Sequence, residues 1–203
     1  MKIIKKFKSR KNEVKLIEID NAFRIVKIYS NLMIMEKATE LMGILSYGIA
    51  VPKLYEKHSN ELIMEYIEGN TLLDEFMTSD FFRAMKLAEI VIDYINDLNS
   101  LGYVQSDPNF TNYIIDNGKC VGIDYDEIII SSSDYDLSDC VLDMILFAIS
   151  YDNVLEEVKI AFSKKLIIFY NINKEDMSIG LTRLVLRRGK GLGQYKDILD
   201  KLF

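Results

Sequence analysis

The run Gln105-Ser106-Asp107-Pro108-Asn109-Phe110-Thr111-Asn112, continuing through Tyr113-Ile114-Ile115-Asp116-Asn117-Gly118-Lys119-Cys120-Val121-Gly122-Ile123-Asp124, constrains the fold more than any other part of the chain. Asn117-Gly118 is a preferred pair for a type I′ turn, whose two central positions both need positive φ. It predicts antiparallel pairing of residues 113–116 with 119–122, Tyr113 facing Gly122 and Asp116 facing Lys119. That register sets Asn112 opposite Ile123 and beside Asp124, so an amide oxygen and a carboxylate converge at the open end of the hairpin. A hard cation such as Mg²⁺ is held by one or two such oxygens together with phosphate and water. Asp107 lies five residues before Asn112 on the preceding loop, within reach of an acceptor hydroxyl beside a metal-bound phosphate.

The first part of the chain reads as strands. Residues 13–19 alternate with period two, Asp20-Asn21 supplies turn chemistry, and Phe23 to Tyr29 alternate again. A helix follows, capped by Ser30 or Asn31, with Leu32, Met35, Thr39 and Met42 at helical spacing until Gly43 and Gly48. Strands are expected around Lys53 to Glu56 and Leu62 to Tyr66. Beyond Asn70 the pattern turns helical, with one long amphipathic segment from Phe81 to Leu101 that stops at Gly102. Further helices fit near 137–150, 154–170, 178–187 and 194–202. The expected fold class is α+β, a strand-rich lobe over residues 1–66 followed by a mainly helical lobe over 67–203.

D-x-x-x-x-N, a short hairpin and then an Asp resembles the catalytic and metal loops of the protein-kinase-like superfamily, and the resemblance spans about residues 10 to 150. Ile25-Val26-Lys27 resembles the lysine motif of the third strand, and Leu62-Ile63-Met64-Glu65-Tyr66-Ile67-Glu68-Gly69 resembles the hinge. Asp107-Pro108 with Asn112 is similar to the loop of lipopolysaccharide core heptose kinases. Val51-Pro52 with the hinge run looks like the small kinase of the tRNA-threonylcarbamoylation complex, and Asp134-Tyr135-Asp136-Leu137 resembles aminoglycoside phosphotransferases.

The resemblance implies a two-lobed protein-kinase-like fold that uses ATP and Mg²⁺. Lys27 would hold the α- and β-phosphates and be positioned by a helix carboxylate, Glu36 or Glu40, of which Glu36 lies nearer the Leu32/Met35/Thr39 face. Backbone groups of Glu65, Tyr66 and Ile67 would bind adenine, Asp107 would be the base, and Asn112 and Asp124 would hold the metal. The implied reaction moves the γ-phosphoryl group of ATP to a hydroxyl of a sugar, small molecule or protein; the alternative is a pseudokinase acting as a nucleotide-binding or protein-interaction scaffold.

The chain departs from the pattern in three places. Phe7-Lys8-Ser9-Arg10-Lys11-Asn12-Glu13-Val14 stands where a glycine-rich phosphate loop is usual, so Lys8, Arg10 or Lys11 would meet phosphates through side chains rather than backbone. Gln105 takes the place of the usual His, and Asp124-Tyr125-Asp126 that of D-F-G. About ten residues separate Asp124 from the helix expected at Asp136, too few for a long activation loop.

Charge and composition narrow the function classes. The net charge of −6 is unevenly placed: residues 1–15 carry seven Lys/Arg and one acid, and 183–203 carry six and two, which leaves an acidic body between them. Such a body disfavours direct nucleic-acid binding and favours cationic acceptors. The apolar run Val141 to Tyr151 is short and contains Asp143, so a buried core helix is expected rather than a membrane span. No apolar stretch follows the basic N-terminus, which predicts a cytoplasmic protein. Cys120 and Cys140 form no CxxC, and the one histidine, His58, sits in a polar turn expected at the surface, so neither a disulfide framework nor a zinc site is indicated.

Overall fold

The computed structural model describes residues 2–7, 9, 11–132, 135–188 and 200–203. Lys8, Arg10 and Asp134, and most of the helix expected near 194–202, lie outside the described residues.

Five strands, β1 (Lys2–Phe7), β2 (Glu13–Ile19), β3 (Ala22–Ile28), β4 (Leu54–Lys57) and β5 (Glu61–Glu65), form an antiparallel sheet in the order β1-β2-β3-β5-β4. The turn between β2 and β3 works because Asp20 and Asn21 both adopt positive φ, at 50° and 61°, which their short polar side chains tolerate. β1 is an addition to the sequence reading. All its residues but Phe7 are exposed, so it buries no face and leaves no alternation to detect.

Helix α1 (Leu32–Leu45) packs Met35, Ala38, Leu41, Met42 and Leu45 into the core, and Asn31 caps it by accepting from the Met33 and Ile34 N–H groups. The packing face is therefore rotated from the one expected: Leu32 is exposed, and Ala38 and Leu41 replace it. After β5 come β6 (Asn70–Thr71), α2 (Leu72–Met77) and α3 (Phe81–Ser100). α3 is started by the Asp80 carboxylate on the Arg83 N–H and stopped at Gly102, whose φ of 85° is unstrained only for glycine.

Helices α4 (Leu137–Ser150), α5 (Glu156–Tyr170) and α6 (Lys174–Arg188) follow. α4 is buried all along Cys140 to Ile149, Asp143 included, as a core helix rather than a span. No helix among the described residues is long and apolar enough to cross a membrane. One apolar cluster runs from Met35 and Leu62 through Leu87, Phe110 and Met144 to Phe162, joining the sheet and α1 to the helices. The order of an antiparallel sheet followed by helices gives the α+β class expected of a kinase-like chain.

Candidate active site

Two short antiparallel pairs hold the central loops. β7 (Tyr103–Gln105) pairs with β10 (Ile128–Ile130), Gln105 facing Ile128. β8 (Tyr113–Asp116) pairs with β9 (Lys119–Gly122), Tyr113 facing Gly122 and Asp116 facing Lys119. The loop 106–112 thus leaves one pair and enters the other, and 123–127 returns, so each loop is pinned at both ends. The Asn117-Gly118 turn has the positive φ values it needs, 47° and 77°.

Side chains tie the two loops together. Phe110 opens a 3₁₀ turn over Phe110–Asn112 and is fully buried, its ring 5.1 Å from Phe76 and 5.2 Å from Phe162. This aromatic trio, centred in the core, anchors the loop between Asp107 and Asn112. Asn112 donates its amide to the Asp107 carbonyl at 3.0 Å, and its own carbonyl accepts from the Ile123 N–H at 2.9 Å. Gln105, 3% exposed, directs one amide nitrogen to the Asp107 carbonyl at 3.3 Å and the Asp124 carbonyl at 3.4 Å. The glutamine thereby bridges the loops through their main chains.

Lys27 comes to this place from β3. It is 8% exposed, and its ammonium meets Asp124 Oδ1 at 2.8 Å and Asp126 Oδ2 at 3.0 Å. The Tyr29 ring lies beneath it, with Nζ 4.9 Å from the centroid. Burial, reinforced by the Asp126 carboxylate, drives the Tyr29 phenol far above its ordinary range and keeps it neutral. Asp126 and Glu127 belong to a 3₁₀ turn over Tyr125–Glu127 that is fixed by the buried Tyr125, whose hydroxyl donates to the Gly122 carbonyl at 2.9 Å.

The segment between β1 and β2 reaches the same turn. Asn12 Nδ2 donates to Asp126 Oδ2 at 2.8 Å, and Lys11 pairs with Glu127. The hydrogen bond with Glu127 holds the Lys11 ammonium above its usual range, against a partial loss by burial and with support from Asp124 and Asp126. Ser106 Oγ donates to the Glu127 carbonyl at 2.8 Å, tying the start of one loop to the end of the other.

Lys27 is joined to Asp124 directly, and Asn112 is joined to the Asp107 carbonyl and, through its own main-chain carbonyl, to Ile123 next to Asp124. Glu36 is not brought to Lys27. It is exposed at the surface of α1 and pairs with Lys57 of β4, because it stands beside the buried row of Met35 and Ala38 rather than in it; Glu40 is exposed as well. Glu65 is also differently occupied: its N–H donates to the Lys53 carbonyl at 2.8 Å, and its carboxylate accepts from the Lys53 N–H at 3.0 Å. The main chain leaves the sheet only at Tyr66, whose ring meets Phe23 edge to face at 6.1 Å, and Ile67 follows in an irregular stretch. Asp126 and Asn12 were not singled out by sequence reasoning; the one available signal was an aspartate at the position of the D-F-G glycine.

The ABC1 atypical kinase-like domain matches residues 33–154, more than half of the chain. The chain belongs to the ABC1 atypical kinase-like family. The matched span holds Asp107, Asn112, Asp124 and Asp126 and begins after Lys27. The chain is also 28% identical over 117 residues to the KEOPS complex subunit Bud32 of Pyrococcus abyssi, which covers 57% of this chain and 50% of that protein. It spans about half the length of the curated relative it matches.

The donor set of this ABC1-like site suits a hard divalent cation. Asn112 spends its amide N–H on Asp107, so Oδ1 is its remaining donor atom for a cation, and Asp124 uses Oδ1 on Lys27 and keeps its second oxygen. An amide oxygen and a carboxylate oxygen are the ligands Mg²⁺ accepts while retaining water and phosphate.

Proposed function

We propose that this chain is an ATP- and Mg²⁺-dependent phosphotransferase that acts on a hydroxyl group. The observation that carries the reading is the junction of Lys27 with Asp124 at 2.8 Å, beside Asn112 and Asp107. A lysine of the sheet and oxygens of the hairpin end then address one triphosphate, the lysine through the α- and β-phosphates and the oxygens through the cation. Main-chain groups from Tyr66 onward, with Glu65 at the end of β5, would receive the adenine. Mg²⁺, held by Asn112 and Asp124, would supply charge neutralisation to the phosphates.

Asp107 would accept the hydroxyl proton as the acceptor oxygen bonds to the γ-phosphorus, the β,γ-bridging oxygen leaving with ADP. Asn112 would keep Asp107 in register by donating to its carbonyl. Gln105 would keep the two loops at fixed spacing. The acceptor class is a sugar, small molecule or protein, with the acidic body favouring a cationic one. The N-terminal lobe over 1–66 and the helical lobe over 67–203 would contribute nucleotide and acceptor contacts respectively, in the cytoplasm.

A second reading, a nucleotide-binding scaffold without transfer, has one observation in its favour: Asn12 and Lys11 reach Asp126 and Glu127 from the segment where a glycine-rich loop would cover phosphates. Incubation with Mg²⁺ and γ-labelled ATP separates the two. Label transfer or ATP hydrolysis by the native chain that Asp107→Asn abolishes while retaining nucleotide binding supports the phosphotransferase. No turnover in either chain, with binding intact, supports the scaffold.

A further inference from the structure

We infer that Asp126 is the positioning carboxylate of Lys27, taking the task that kinase-like chains give to a helix glutamate; the inference rests on the nucleotide site proposed above. Helix α1 offers no such partner, since its buried row is Met35, Ala38, Leu41, Met42 and Leu45, Glu36 is engaged by Lys57, and Glu40 is exposed. Asp126 has what the helix lacks. Its side chain is 5% exposed, its Oδ2 lies 3.0 Å from the Lys27 ammonium, and Asn12 Nδ2 holds the same oxygen at 2.8 Å.

Asp124 alone cannot serve the lysine throughout. Its carboxylate is also the cation's, and a divalent ion withdraws the negative charge that Lys27 would otherwise face. Lys27 is buried and needs a permanent counter-charge, or its ammonium becomes costly. Asp126 needs the lysine in turn, because its side chain is buried and an unneutralised carboxylate at that depth is equally unfavourable. The aspartate is aimed inward by the turn that follows Asp124, whose buried Tyr125 is hydrogen-bonded to the Gly122 carbonyl, so side-chain direction is set by rigid neighbours rather than by the lysine itself. The arrangement supplies from the metal loop both a cation ligand, Asp124, and a lysine holder, Asp126, two residues apart.

The test is a double-mutant cycle on ATP affinity, measured by titration calorimetry on the full chain with Mg²⁺ and again in EDTA, using Lys27→Met, Asp126→Asn and the double variant, with Glu36→Gln as control. Asp126→Asn is expected to weaken binding about tenfold, the scale of a lost charge-assisted hydrogen bond. In the Lys27→Met background the same change is expected to have almost no effect, and Glu36→Gln none. Circular dichroism and the apo unfolding midpoint report whether each variant folds; if Asp126→Asn does not, Asn12→Ala, which removes the second bond to the same oxygen, is expected to give a smaller loss that also depends on Lys27. The inference is overturned if Asp126→Asn leaves affinity unchanged or raises it, if the loss persists without Lys27, or if Glu36→Gln causes the loss. Should Lys27→Met itself leave ATP binding untouched, the nucleotide-site reading fails first, an outcome distinct from these.

Discussion

The Lys27 ammonium lies 2.8 Å from Asp124 Oδ1, a bond between the third strand of the sheet and the residue just beyond the hairpin, 97 positions later in the chain. The pair sits where two loops converge and where Asn112 and Asp107 are presented. Lys27 is buried there, so its charge is not tolerated without a partner, and the bond has a structural consequence before any ligand is considered.

Removing only the cation is therefore destabilising. Lys27→Met leaves the buried Asp126 carboxylate without its counter-charge, and breaking a buried pair in this way costs about 3–5 kcal/mol. Denaturant unfolding is expected to show that loss, and adding Asp126→Asn to the same chain is expected to restore part of it. Equal midpoints for the native and Lys27→Met chains would contradict the buried pairing.

Gln105 acts through the main chain of both loops. Gln105→Leu leaves the Asp124 carbonyl without its side-chain donor and the Asp107 carbonyl with Asn112 alone, at a cost of about 1–3 kcal/mol for a lost buried hydrogen bond. Gln105→His, which keeps a ring N–H, is expected to lose less. Urea midpoints of the three chains check the order.

Gly122 is required by its neighbour. A Cβ there would stand 2.1 Å from the hydroxyl oxygen of Tyr94, a residue only 5% exposed and with no room to withdraw. Gly122→Ala is expected to destabilise by about 1–3 kcal/mol through overpacking, and Tyr94→Phe in the same chain is expected to recover part of the loss. Thermal unfolding of the single and double variants checks this.

Both thiols are buried, and burial disfavours the thiolate. It pushes the Cys140 thiol up to about 12 from an ordinary 9.0, and raises Cys120 in the same direction. A folded value above the unfolded one means the contribution to stability is whole below about 9 and is lost as pH climbs from there toward 12, because the unfolded chain releases its protons first. At pH 8 labelling by an aromatic disulfide reagent is expected to follow the unfolding rate, with no fast phase. A fast phase in the native chain would show that a thiol is accessible.

The hairpin beside the candidate site was legible from local chemistry. Asn117-Gly118 fixed the hairpin register because a type I′ turn leaves no freedom to slip, and that register carried Asn112 to Ile123 as observed. Lys27 was expected through the resemblance of Ile25-Val26-Lys27 to a third-strand lysine motif, and its contact with Asp124 came only with the fold. Glu36 was less so, since one residue on a helix is a turn of about 100°, enough to move a carboxylate from the buried row to the surface and onto Lys57. Asp126 was hidden for a different reason: in a polar run such as Asp124-Tyr125-Asp126-Glu127, only the anchored Tyr125 decides which carboxylate turns inward. The pairing of Glu65 with Lys53 was not legible, because Lys53 lies on a segment whose edge alignment carries no apolar pattern.

The most direct test of the central claim, that a strand lysine and the hairpin-end oxygens address the same nucleotide, is the shift in unfolding midpoint on adding ATP with and without Mg²⁺. The native chain is expected to be stabilised by ATP, and more so with Mg²⁺, by about 2.7 kcal/mol at a hundredfold excess over the dissociation constant. Asp124→Asn is expected to lose the Mg²⁺-dependent part and Lys27→Met the nucleotide-dependent part. An ATP shift that is absent in the native chain, or equal in all three chains and indifferent to Mg²⁺, would contradict the account.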